Sequence, residues 1–141
     1  MADDGSDFAR SMSIATSGLR AQAGRMRVIS ENIANADSTA PTAAGNPYRR
    51  KVPTFSSALD RTLDAKVVTL GKVRTDQSAF RVKHEPSNPA ADAAGNVKYP
   101  NVNSLVEMTD MKEAQRSYEA NINVIGATRR MIQRTLEILK A

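Results

Sequence analysis

Cysteine is absent from the 141 residues, which excludes disulfides, thiolate metal sites and cysteine nucleophiles. Tryptophan is absent too, and aromatic residues make up 4% of the chain. The core is therefore modest, because much of the apolar content is alanine, which lets helices approach closely but buries little area. No apolar run reaches even about ten residues, far short of what a membrane-spanning helix or a secretory leader needs. Direct membrane insertion is not expected, and if the protein leaves the cytosol it uses a route that reads no cleaved signal.

Catalytic and metal-binding patterns are equally scarce. His84 is the one histidine, and a single imidazole without cysteine or a second histidine makes no metal site of ordinary composition. Nucleophile elbows, Walker loops, His-Glu-x-x-His pairs and Gly-x-Gly-x-x-Gly fingerprints do not occur. Asp60 and Asp64 stand four apart with Arg61 and Lys66 nearby, a pattern of exposed surface rather than a paired acid and base. An enzyme is not expected, and no catalytic, cofactor-binding or metal-ligating residue is assigned. The net charge of +5 raises nucleic acid as a partner. Its distribution argues against one: Arg20, Arg25, Arg27, Arg49, Arg50, Lys51, Arg129, Arg130 and Arg134 are interleaved with acids, and the aromatics form no stacking platform beside them.

What the chain does have is periodicity at both ends. Met108, Met111, Gln115, Tyr118, Ile122, Ile125, Arg129, Ile132, Leu136 and Leu139 fall at alternating steps of three and four, the period of a coiled-coil seam. No proline interrupts residues 108–141, and a helix of that length extends roughly 50 Å. Phe8, Met12, Ala15, Leu19, Gln22, Met26, Ile29 and Ile33 repeat the spacing through a first helix ending near Ala36. Gly18 and Gly24, at about 1 kcal/mol each relative to alanine, join Ala15 and Ala21 in a small-residue face suited to close backbone approach. The predicted fold is mainly α: long N- and C-terminal helices paired as a coiled coil, with a small β-containing insertion between them. Residues 1–6 are predicted to be a disordered arm with Ser6 or Asp7 as N-cap, residues 7–36 and 104–141 the terminal helical domain, and residues 37–103 a loop plus insertion.

Within that insertion, Asp37, Ser38, Thr39, Pro41, Gly45, Asn46 and Pro47 form a polar connection. A short helix is predicted over residues 56–65 from Phe55, Leu59 and Leu63. Val67, Val68, Leu70 and Val73 read as one or two short strands, residues 79–84 with Phe80 and Val82 as another, and residues 97–99 as a brief strand after the Gly95-Asn96 turn. Asn103 or Ser104 caps the second helix, with Glu107 at its third or fourth position. Asn32 and Asn35 on the last turn of the first helix predict side-chain bonds to the following loop or a neighbouring chain. Gln115 and Arg129 at seam positions predict fixed register and partner choice. Seams of this length favour a subunit buried on several sides over an isolated monomer.

The runs SGLRAQAGRMRVISENIANADST (17–39) and NPYRRKVPTF (46–55) resemble the N-terminal region of bacterial flagellar rod, hook and related axial proteins, with their Asn-rich helix end in Asn32-Ile33-Ala34-Asn35. EPSNPAADAAGNVKYPNVN (85–103) and EMTDMKEAQRSYEANINVIGATRRMIQRTLEIL (107–139) narrow the resemblance to proximal rod subunits, over nearly the whole chain. The resemblance implies a structural subunit of the basal-body rod, the drive shaft that crosses the periplasm and transmits motor torque. It also implies polymerisation with copies of the chain and with rod proteins of the FlgB, FlgF, FlgG and FliE types. Transit would be through the flagellar type III export apparatus, largely unfolded and without a cleaved leader, which suits a chain lacking cysteine. Family features carry over to Asn32, Ala34 and Asn35, to residues 48–51 and to residues 118–121; the loop at 38–45 departs in being rich in alanine. The expected subunit interface comprises Phe8, Met12, Leu19, Met26, Ile29, Asn32, Ile33 and Asn35 in the first helix, and Tyr48, Arg49 and Arg50 after the loop. In the second helix it comprises Met108, Met111, Gln115, Tyr118, Asn121, Ile122, Ile125, Arg129, Ile132, Leu136 and Leu139. The alternatives are another rod subunit, FlgB- or FlgF-like, and, from a different class, a basic helical nucleic-acid-binding protein.

Overall fold

Two long helices carry the periodic ends of the chain in the computed structural model, which describes residues 4–140. Helix α1 is Asp4–Ala34 and helix α2 is Ser104–Lys140. Between them lie β1 (Lys51–Val52), β2 (Phe55–Asp60), β3 (Ala65–Leu70), β4 (Arg74–Thr75), β5 (Arg81–His84) and β6 (Asn96–Tyr99). The strands form three two-stranded antiparallel sheets, β1-β4, β2-β3 and β5-β6. The class is mainly α, two long helices flanking a small strand-containing region.

The start of α1 corrects the predicted arm. Residues 1–3 lie outside the described residues, but residues 4–6 are already helical. An aspartate-bearing first turn is favoured by the positive end of the helix dipole, and one glycine there costs only about 1 kcal/mol. The chain clusters into two compact units, one of Met1–Met26, Thr54–Lys72 and Glu113–Ala141, the other of Arg27–Pro53 and Val73–Lys112.

In the first unit α1 and α2 approach very closely. A Cβ added at Gly18 would lie 2.9 Å from the amide of Asn121, Arg25 pairs with Glu113 at 3.3 Å, and Ala15, Ala21 and Ala114 are buried. The predicted helix over 56–65 is absent: β2 and β3 form a six-pair hairpin from Phe55↔Leu70 to Asp60↔Ala65. Leu59 and Leu63, four apart, imitated one face of a helix, but the β-branched run Val67-Val68-Thr69 supplies a strand for β2 to pair with. The turn that follows is closed by the Thr62 N–H donating to Asp60 Oδ1 at 2.9 Å, and Asp64 takes the left-handed conformation at φ 47° that this tight reversal needs.

In the second unit Ala90, Val97 and Tyr99 form a small apolar core with Ala91 packed against it, and Val28, Ile29 and Val102 are buried as well. Asn103 is the N-cap of α2, its Oδ1 accepting the N–H of Leu105 at 3.1 Å and of Val106 at 3.4 Å. Just beyond α1, Arg81 Nη2 donates to the Ala36 carbonyl at 2.7 Å and Nε to the Pro100 carbonyl at 3.0 Å, tying the segment after α1 to the one before α2.

Candidate functional site

Asn32 is the centre of the second unit. It is fully buried, and its four hydrogen-bonding positions are all used. Its Nδ2 donates to the Lys51 carbonyl at 2.8 Å and to Glu107 Oε2 at 3.0 Å. Its Oδ1 accepts from the Tyr48 hydroxyl at 2.8 Å and from the Lys51 N–H at 2.9 Å. One amide on α1 thereby fixes the segment that follows the loop and the first turns of α2. Asn32 has the predicted side-chain bonds, but they reach Tyr48 and Lys51 beyond the 37–47 connection, and Glu107, rather than that loop. Asn35 instead returns its Nδ2 to the Glu31 carbonyl, four residues back in its own helix, at 2.9 Å.

Glu107 extends this centre. Its side chain is 1% exposed, and Oε1 accepts from Arg50 Nε at 2.6 Å. The same guanidinium reaches Asp110 at 3.7 Å and Asp76 at 3.8 Å. The Arg50 N–H is held by Asn101 Oδ1 at 2.8 Å, while Asn101 Nδ2 donates to the Asp76 carbonyl and to Ser78 Oγ. A buried carboxylate is stable only when paired and hydrogen-bonded in this way. Arg49 lies 4.1 Å over the Phe80 ring and donates to the Ser78 carbonyl, and Lys51 pairs with Glu31. Tyr48, Arg49 and Arg50, placed on the subunit interface by the sequence, are thus part-buried inside one chain.

Burial, reinforced by the negative charges of Glu31 and Glu107, pushes the Tyr48 hydroxyl from its ordinary 10.0 up to about 12. A phenol with a raised folded value adds stability that is complete below pH 10.0 and is lost as pH rises toward about 12. Tyr48→Phe is expected to cost about 1 kcal/mol at neutral pH, through the lost bond to Asn32, and to flatten the alkaline fall in urea midpoint. Comparison with the parent chain isolates the effect from Tyr99, which its bond to Glu85 also raises.

The residues of α2 withdrawn from solvent differ from the predicted stripe by one position at every second step. Glu107, Met111, Ala114, Tyr118, Asn121, Ile125, Thr128 and Ile132 are buried or part-buried. Met108, Gln115, Ile122, Arg129, Leu136 and Leu139, assigned to the same stripe from sequence, are exposed. At Gly18 the neighbour is the Asn121 side chain, 2.9 Å from where a Cβ would stand, which accounts for the inward place of Asn121 beside the exposed Ile122. On α1, Ile29 is buried and Phe8, Met12, Leu19, Met26 and Ile33 are part-buried. Large apolar side chains of α2 are left in solvent, among them Leu105 at 74%, Ile138 at 76% and Leu139 at 73% exposure.

Asn101 and Asp76 were not singled out from sequence, and Glu107 was read only as an acid of the first helical turn. Glu107 carried a signal that pointed elsewhere, since an acid in a first helical turn ordinarily serves the dipole. Among the described residues no group of three or more His, Cys, Asp or Glu is placed to hold a metal, and no helix is long and apolar enough to cross a membrane.

Two family models match the chain: "Flagella basal body rod protein" over residues 12–40, and "Flagellar basal body rod FlgEFG protein C-terminal" over residues 93–138. The flagellar basal-body rod protein FlgC of Agrobacterium fabrum is 51% identical over 128 residues, covering 91% of this chain and 92% of that protein. FlgC of Salmonella typhimurium is 40% identical, covering 89% and 92%. FlgC of Bacillus subtilis is 37% identical, covering 92% and 97%. The chain belongs to the FlgC family of flagellar basal-body rod proteins, and is a structural subunit of the proximal rod rather than an enzyme.

Proposed function

We propose that this subunit polymerises with copies of itself and with rod proteins of the FlgB, FlgF, FlgG and FliE types into the drive shaft that crosses the periplasm and carries motor torque. Coiled-coil contacts between the terminal helices of neighbouring subunits hold the shaft together. Transit to the rod is through the flagellar type III export apparatus, without a cleaved signal.

The observation that carries this reading is the surface of α2 over residues 129–140, where only Ile132 is even part-buried. A lone helical stretch of that length is marginal in water, and Met131, Leu136, Ile138 and Leu139 gain nothing from solvent. Neighbouring helices supply the missing cover, so this end of α2 orders fully on assembly, with Gln115 and Arg129 on the exposed face where they set register between subunits. The domain picture follows: Tyr48, Arg49 and Arg50 hold the second unit together, and the interface falls on Met108, Ile122, Arg129, Leu136 and Leu139. Family membership also displaces the nucleic-acid reading, which rested on net charge.

The test is recovery of the tagged chain in basal bodies purified from a strain whose only copy is tagged, with immunogold label over the rod. Absence from those particles, or a complete rod in a strain lacking the gene, overturns the reading.

A further inference from the structure

The β2–β3 hairpin is poorly anchored to the helix it lies on. Five of the six residues of β2 and half of β3 are exposed, and a two-stranded hairpin alone is marginal in water. Three points fasten it to α1. Arg10 Nε donates to the Leu63 carbonyl at 2.8 Å, the Val68 N–H donates to Ser17 Oγ at 3.2 Å, and Leu70 rests on Gly24. Between these points an open cavity of about 540 Å³ remains, lined by Met12, Thr16, Arg20, Ala21, Val67 and Leu70. A permanently docked element would fill such a space, because interiors pack to crystal density.

The base of the hairpin is built to stay closed while its attachment changes. The Gly71 N–H donates to the Thr54 carbonyl at 2.6 Å, and Thr54 Oγ1 donates to the Lys72 carbonyl at 2.7 Å. A Cβ at Gly71 would lie 2.8 Å from Thr54 Oγ1, so the closure depends on glycine. Beyond this clamp the two strands are unequal. Pro53 and Thr54 separate Val52 from Phe55, whereas Gly71, Lys72 and Val73 separate Leu70 from Arg74. An extra residue on one strand is a β-bulge, a place where a ribbon bends.

We propose that the β2–β3 hairpin is exchanged between subunits: in the free chain it docks on its own α1, and in the rod it docks on the α1 of an adjacent copy of this chain. The occupant is specified by the surface itself. Arg10, Ser17 and Gly24 already bind this hairpin through contacts that are the same in cis and in trans. The exchange therefore costs only rearrangement of the bulged connection, and the high local concentration within a polymer favours it. The inference rests on the rod reading above and adds a covalently traceable link between copies.

The test uses the absence of native cysteine. A Cβ built at Gly24 lies 3.7 Å from Leu70 Cβ, within the span of a disulfide. Gly24→Cys and Leu70→Cys are made separately, co-expressed in one strain, and oxidised both as dilute purified protein and in isolated basal bodies. Only exchange between copies can join them, so covalent dimers are expected from basal bodies and not from the dilute protein. The double variant serves as control: a cross-link within one chain is expected when it is dilute, and a ladder of linked chains in the rod. Single variants that give no dimers in basal bodies, together with a double variant linked only within itself there, overturn the exchange. A double variant that forms no cross-link in either setting overturns the docking contact itself. Motility and basal-body incorporation of the single variants report separately on the rod reading, which stands or falls on those measurements whatever the gel shows.

Discussion

An Asn32→Leu chain is expected to lose about 3–5 kcal/mol of folding stability, a large share of what a domain of this size possesses. The substitution nearly preserves volume, so little of the loss comes from packing. It comes from four partners abandoned together: the N–H and carbonyl of Lys51, the Tyr48 hydroxyl and one oxygen of Glu107. Leaving a buried polar group unpaired costs about 1–3 kcal/mol, and Glu107, almost completely enclosed, cannot recover its loss from water. Lys51 and Tyr48 are part-buried and recover some of theirs, which keeps the total below the simple sum. Urea unfolding followed by circular dichroism gives the number; a change under about 1 kcal/mol would show that the centre carries little of the stability. Asn32→Asp separates the two halves of the role. It keeps an acceptor for the Tyr48 hydroxyl and the Lys51 N–H but sets a second carboxylate against Glu107, so a deficit as large as that of Asn32→Leu would place the main role on the Glu107 side.

Removal of residues 136–141 is expected to do the reverse, abolishing motility while leaving the free subunit nearly untouched. Leu136, Ile138 and Leu139 are half exposed or more, so their loss should move the stability of the isolated chain by no more than about 0.5 kcal/mol. On the proposed reading neighbours cover these side chains in the rod, and a shaft missing that cover on every subunit is expected not to hold. Soft-agar spreading, basal-body composition and the amount of exported subunit together read the outcome: export retained, incorporation lost. Normal swimming by the truncated strain would mean that the exposed end of α2 has no place in rod packing. Because the two variants fail at different stages, one in folding and one in assembly, they also divide the molecule by purpose.

Much of the architecture was legible because long-range order in a helix is written as a period. The seams placed α1 and α2 within a few residues of their ends, and Asn103 was readable as a cap because a short polar side chain before an apolar run has one main use. The register of the contact was not. Met108 and Glu107, or Ile122 and Asn121, sit one step apart on the same side of α2, and hydrophobicity favours the larger apolar member of each pair. Asn32 and Arg50 draw Glu107 inward and Gly18 stands against Asn121, and such proximity is a property of two segments that no single window contains. The hairpin failed for a related reason, since Leu59 and Leu63 satisfy a helical spacing locally while β3, the strand that recruits Phe55–Asp60, lies further along. The Asn32 centre was half visible: an amide in the last helical turn demands partners, but their identity depends on where Tyr48, Lys51 and Glu107 arrive in space.

The saturation of Asn32 also bears on how a rotating part tolerates load. Greasy surfaces attract without direction and can creep past one another under shear at little cost. A planar amide gripped at all four corners cannot yield gradually, since any displacement of the chain at Lys51 breaks two links at once. The second unit should therefore behave under twist like a keyed coupling, stiff up to a threshold and then failing abruptly.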